Sequence, residues 1–245
     1  MKTVILGATK GMGRALARRM ATRGDELFLL GRDLEDLAKS AADLQARGAR
    51  GLPEAAACDL ADPGGFNEAL DAAWAALGRP DCVVITAAAF GTQDQLEADE
   101  ERAAALLSIN FTHTIVLCEK VRKRLLSQGG GTLCVFSSVA GDRGRKPVGI
   151  YGASKAGLSH YLESLDHKHR ADGLVTVCVK PGFVRTAMTD GLDAPPFAGE
   201  PDPVAARVLA AIDGGRPVVY APWIWRWIMF VIRLLPRAVM RRVGF

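Results

Sequence analysis

Seven short strand-like runs alternate with helical patterns along the chain, and several of the runs are apolar without a break. A strand with one wet face would alternate apolar and polar residues; a run such as Cys82-Val83-Val84-Ile85 belongs to a strand covered on both sides. Strands of that kind, linked by helices, build a parallel sheet with right-handed crossovers. The runs are Thr3–Leu6, the stretch ending Leu30-Gly31-Arg32, Pro53–Cys58, Asp81–Thr86, Thr132–Ser137, Leu174–Lys180 and Pro217–Tyr220. Helical periodicity marks Asp33–Gly48, Pro63–Leu77, Leu96–Leu107, Asn110–Leu126, Tyr151–Arg170 and Pro203–Ile212. The expected fold is α/β, one doubly wound parallel sheet of seven strands in a single domain, residues 1–221, followed by an amphipathic helical tail, 222–245. A chain of 245 residues suffices for one such domain with a sizeable core.

In a sheet of this type ligands bind beyond the carboxyl ends of the strands. Gly7, Arg32, Asp59, Ala87, Ser138 and Pro181 all fall there, so one edge collects the residues able to do chemistry. Gly7, Gly11 and Gly13 stand where the first strand hands over to a helix, whose amides, unobstructed by side chains, would face a phosphate. Farther on, Tyr151 and Lys155 lie one helical turn apart on a shared face, and Ser138, at a strand end, can converge on them. A tyrosine free in water titrates near pH ~10, and an ammonium beside it favours the phenolate. Such a group can donate a proton to a developing alkoxide or take one from an alcohol.

In this order and spacing, Gly7-x-x-x-Gly11-x-Gly13, Asn110, Ser138, Tyr151-x-x-x-Lys155 and Pro181-Gly182 resemble the classical short-chain dehydrogenase/reductase family, over residues 1–221. The resemblance implies a Rossmann-type sheet and a nicotinamide dinucleotide held by Gly7, Thr9, Lys10, Gly11, Met12 and Gly13 at the glycine turn. It implies further contacts from Asp59 and Leu60 at the adenine, from Ala87, Ala88 and Ala89, and from Pro181, Gly182, Val184 and Thr186 around the nicotinamide. Tyr151 would be the general acid/base, Lys155 would hold the ribose hydroxyls and lower the tyrosine pKa, and Ser138 would bond the substrate oxygen. Asn110 would support a proton-relaying water; read from the residues alone, it is equally a cap for Phe111–Leu126. Thr186 also reads as a loop-helix cap, and Ser137 competes with Ser138 as the polar contact. Two departures stand out. Leu6 replaces the family's threonine before the first glycine, and Thr86-Ala87-Ala88-Ala89 replaces Asn-Asn-Ala-Gly, removing a side chain that ties strand ends together.

Charge argues for the cofactor. An NAD site of this kind uses an acid at the end of the second strand, but here Leu30-Gly31-Arg32 ends in a guanidinium. Arg32, with Lys10 in the glycine turn, suits the 2′-phosphate of NADP(H), while Asp33 reads as the cap of the following helix.

The net charge of +4 belongs to the tail. Setting aside Arg226, Arg233, Arg237, Arg241 and Arg242 leaves 26 basic residues against 27 acids, which argues against a nucleic-acid-binding body. Cys58, Cys82, Cys118, Cys134 and Cys178 lack metal-ligand spacing and read as buried thiols; with no leader-like start, a cytoplasmic location is expected and no metal. The tail packs Trp223, Trp225 and Trp227 into five residues and places Arg226, Arg233 and Arg237 in one stripe. It is too short to span a bilayer, and three roles remain open: lying on an anionic membrane surface, packing between subunits of a homodimer or tetramer, or packing on its own domain. Ala187–Pro203 reads as a substrate lid, with Phe90, Gly141, Val148 and Ile150 as further walls and Arg143, Arg145 and Lys146 at the rim. The residues thus read as an NADPH-dependent reductase of a ketone or aldehyde, the substrate apolar or lipid-like. The rivals are oxidation of an alcohol, one half of a lipid-linked sugar epimerisation, and a non-catalytic dinucleotide-binding protein.

Overall fold

The computed structural model describes residues 1–244. Seven parallel strands form one sheet: β1 (Lys2–Leu6), β2 (Glu26–Gly31), β3 (Glu54–Ala57), β4 (Cys82–Ile85), β5 (Gly131–Phe136), β6 (Leu174–Pro181) and β7 (Val218–Ala221), in the order β3-β2-β1-β4-β5-β6-β7. The order reverses between β1 and β4, which opens the crevice where a doubly wound sheet takes its ligand. Burial follows from the apolar runs: the alternate side chains of β1, Val4 and Leu6 on one face and Ile5 on the other, enter two separate cores. One core lies under α1 (Gly11–Thr22), α2 (Leu34–Ala46) and α8 (Pro201–Asp213). The other lies under α3 (Phe66–Leu77), α6 (Thr114–Ser127) and α7 (Gly149–His169). All five cysteines are buried and free.

Element boundaries differ from the sequence reading where caps and turns intervene. The stretch expected as one helix over Leu96–Leu107 is two, α4 (Gln93–Glu97) and α5 (Glu100–Leu107), because the Asp99 side chain caps the second by accepting from the Arg102 amide. The helix expected to start at Asn110 begins instead as a π-wound segment, Ser108–His113, continuous with α5 and α6. Asn110 is therefore inside the helical run and does not cap it. Asp33 caps α2 as expected, accepting from the amides of Glu35 and Asp36.

The tail forms α9 (Trp225–Leu234) and, after Pro236, the short α10 (Arg237–Met240). Trp225, Met229 and Ile232 are buried against Val139, with Phe183 and Tyr220 beside them. Of the three roles open to the tail, packing on its own domain is realised by this face. Trp223, Trp227, Phe230, Val231 and Leu234 project from the opposite face and are exposed. Arg226 and Arg233 run along the flank between the two faces. Among the described residues, no helix is long and apolar enough to cross a membrane.

Candidate functional site

The glycine turn joins β1 to α1. Gly7 has φ +97° and Gly11 φ +52°, conformations that disfavour a side chain, and a Cβ on Gly7 or Gly13 would collide with the Thr86 hydroxyl. That hydroxyl lies 3.1 Å from both the Leu6 and the Gly7 carbonyl, which share its one proton. Thr86 thus ties the end of β4 to the turn, the task that Ala87 cannot perform by side chain. Its signal in the sequence is a hydroxyl at the end of a strand adjacent to the glycine turn. The first turn of α1 has no side-chain cap and no acid, so its amides are left for an anion.

Gly7, Thr9, Lys10, Gly11, Met12, Gly13, Arg32, Asp59, Leu60, Ala87, Ala88, Ala89 and Thr186 line one cavity of about 340 Å³. The glycine cradle, the uncapped helix start and the apolar Leu60 and Ile109 are the donor set and walls that a dinucleotide requires, so the residues present fit such a group. Pro181, Gly182 and Val184 are not in that lining. Pro181 ends β6 beside Ala221, Val184 is buried and bridges to Gly199, and Gly182 faces the Trp225 indole. Lys10 bridges to Asp36 at 3.3 Å across exposed surface. Asp59 accepts from the Ala61 amide.

Asn110 is buried and its carboxamide pairs with both backbone groups of Ala89, accepting from the amide and donating to the carbonyl, each at 2.8 Å. The π-wound segment aims Asn110 at the loop after β4, and this side chain, together with Thr86, fixes the Thr86–Ala89 stretch. Ser137 is engaged within the fold: its hydroxyl donates to the Lys155 carbonyl at 2.9 Å and pairs with Ser159, holding β5 to α7. Ser138 caps the turn Val139–Gly141, accepting from the Ala140 amide.

Tyr151, half-buried, and Lys155, buried, lie one turn apart on α7, with the ammonium 5.8 Å from the phenol ring centroid. Phe90 meets the same ring edge-on at 5.2 Å between centroids. Burial pushes the Tyr151 phenol up to about 12, although hydrogen bonding by Ser138 favours the phenolate. Burial pulls the Lys155 ammonium down to about 8, and it donates to the Phe136 carbonyl at 3.0 Å. Desolvation of the phenol sets the direction of its shift, and the group opposing it is Ser138 rather than the expected Lys155. Ser138, Tyr151 and Lys155 nevertheless stand together at the carboxyl edge, a proton donor with a hydroxyl and a cation around it.

Residues 2–196 match the short chain dehydrogenase family. The chain belongs to that family. An "uncharacterized oxidoreductase" of Mycobacterium tuberculosis is 35% identical over 242 residues, covering 98% of this chain and 96% of its own. Carbonyl reductase family member 4 of Xenopus tropicalis is 28% identical over 85% of this chain and 89% of its own. The fold of this short-chain dehydrogenase also matches a solved actinorhodin polyketide ketoreductase with NADPH, at TM-score 0.80 and 22% identity over 89% of this chain and 94% of that one. The protein is accordingly an oxidoreductase of the short-chain dehydrogenase family, whose Ser138, Tyr151 and Lys155 occupy the end of its sheet.

Proposed function

We propose that this enzyme is an NADPH-dependent carbonyl reductase acting on an apolar or lipid-like ketone or aldehyde. The observation that carries the reading is the grouping of Tyr151, Ser138 and Lys155 beside Phe90, at the same sheet edge as the glycine cradle. A nicotinamide dinucleotide, when bound, supplies the hydride. Ser138 donates a hydrogen bond to the substrate oxygen, and Tyr151 gives its phenolic proton to that oxygen as it becomes an alcohol. The Lys155 ammonium stabilises the phenolate left behind. Asn110 holds the Ala89 backbone and so the wall of the cofactor cavity.

Preference for NADP(H) over NAD(H) is supported by Arg32, exposed at the end of β2, where an NAD site would carry an acid. An apolar substrate is supported by Phe90 on Tyr151 and by Met188 and Phe197 in the segment after Thr186. Exposed Phe111, in the π-wound segment, and Val116, in α6, support a homo-oligomer formed through that helical run. The outward apolar face of α9, with arginines on its flank, supports contact with a membrane surface.

The test is consumption of NADPH and of NADH against a panel running from small aldehydes to long-chain ketones. Turnover with NADPH on apolar carbonyls is expected; turnover with NADH alone, or none on any carbonyl, overturns the reading.

A further inference from the structure

The loop that joins Ser138 to Tyr151 meets the end of the tail in a cleft of about 400 Å³, lined by Arg143, Arg145, Lys146, Arg237 and Arg241, with Met240 between them. Among the described residues five cations line it and no carboxylate does. Two of them shape the cleft by capping the tail: Arg143 donates to the Leu235 carbonyl at 3.1 Å and Lys146 to the Arg241 carbonyl at 2.8 Å. An arginine has five donors and a lysine three, so each keeps donors to spare. Arg145 is the telling member. Its Nε is buried without a hydrogen-bond partner, and among the described residues its side chain makes no hydrogen bond or ion pair. Burial pulls its guanidinium below the ordinary range, with only Asp142 opposing. Asp142 is itself engaged, accepting from Lys180 at 2.6 Å and from the Tyr220 hydroxyl at 2.8 Å. A half-buried cation among four like charges, with no anion of its own among the described residues, is a site lacking its counter-charge.

We propose that this cleft binds the headgroup phosphate of an anionic phospholipid, anchoring the enzyme to the membrane surface on which the outward face of α9 rests. The proposal builds on the membrane reading of the tail. Guanidinium forks suit the oxygens of a phosphodiester. The second feature a lipid surface requires is present on the same segment: Trp227, Phe230, Val231 and Leu234 form an exposed apolar stripe with tryptophan in it, flanked by Arg226 and Arg233.

The experiment is co-flotation of the full chain with phosphatidylcholine vesicles, with and without phosphatidylglycerol. Two double variants accompany it: Arg145→Gln with Arg241→Gln in the cleft, and Arg226→Gln with Arg233→Gln on the flank, both checked for folding by circular dichroism. Flotation is expected only with phosphatidylglycerol, and the cleft variant should lose it by roughly 30-fold while the flank variant loses much less. Equal losses in the two variants would mean diffuse surface attraction and overturn the cleft as a site. Trp227→Ser with Phe230→Ser tests the apolar face of α9 separately from the cleft. Flotation abolished by this variant but untouched by the cleft variant overturns the cleft and keeps the membrane reading. No flotation of the full chain overturns both. Line broadening of inorganic phosphate in ³¹P spectra, removed by the cleft variant in a chain that does not float, assigns the cleft to a soluble phosphate ester and overturns the lipid.

Discussion

The indole of Trp225 fills the space beside Gly182 in which a side chain would begin. Its Nε1 donates to the Phe197 carbonyl at 3.2 Å, so one residue of the tail touches both the loop after β6 and the segment expected to cover the substrate. Gly182→Ala therefore forces a methyl into the indole. The expected cost is about 1–3 kcal/mol from overpacking, read as a lower midpoint in denaturant unfolding. An unchanged midpoint would show that α9 yields at little cost.

Trp225→Phe keeps an aromatic ring but loses the bond to Phe197. If that bond positions the segment over the substrate, KM for an apolar carbonyl rises several-fold while kcat changes little. A fall in kcat at constant KM would instead place the effect at the nicotinamide side, through Gly182.

Thr86→Val preserves shape and removes the hydroxyl that serves the Leu6 and Gly7 carbonyls. The expected loss is about 1–2 kcal/mol of stability, with weaker dinucleotide binding measured by fluorescence titration. Binding unaltered by this change would mean that the backbone holds the glycine turn unaided.

Tyr151→Phe removes the proton donor and leaves the ring that Phe90 and Lys155 contact. Turnover should fall by at least about 100-fold with dinucleotide affinity almost unchanged. In the same assays, Arg32→Asp should weaken NADPH binding by at least about ten-fold and spare NADH. Equal effects on both cofactors would remove Arg32 from the 2′-phosphate.

Lys155 links stability to pH. In the folded enzyme without cofactor its pKa is about 8, below the ordinary 10.5, so between those values the unfolded chain binds more protons and stability rises with pH. Tyr151 acts oppositely: its pKa is raised to about 12 from 10.0, and above pH 10 the unfolded chain gives up a proton that the folded one keeps. Compared with Lys155→Met, the cofactor-free wild type should gain stability from pH 8 to 10. Parallel curves for the two proteins would contradict the buried, depressed ammonium.

Local pattern was enough for the α/β class, for the seven strands, for Asp33 as a cap, and for Gly7, Gly11, Gly13, Tyr151 and Lys155 as residues of one edge. Each of these rests on periodicity or short spacing, which backbone geometry translates directly into faces and turns. The tertiary structure decided what depends on distant neighbours. It gave Asn110 to the Ala89 backbone, Ser137 to the sheet–helix packing and Thr86 to the glycine turn. It set Tyr151 where desolvation raises the phenol pKa against the bond from Ser138. It also divided the apolar arc of the tail into a face that packs on Val139 and a face left to solvent. A helical wheel shows which residues share a side; only the approach of another element decides which side is buried.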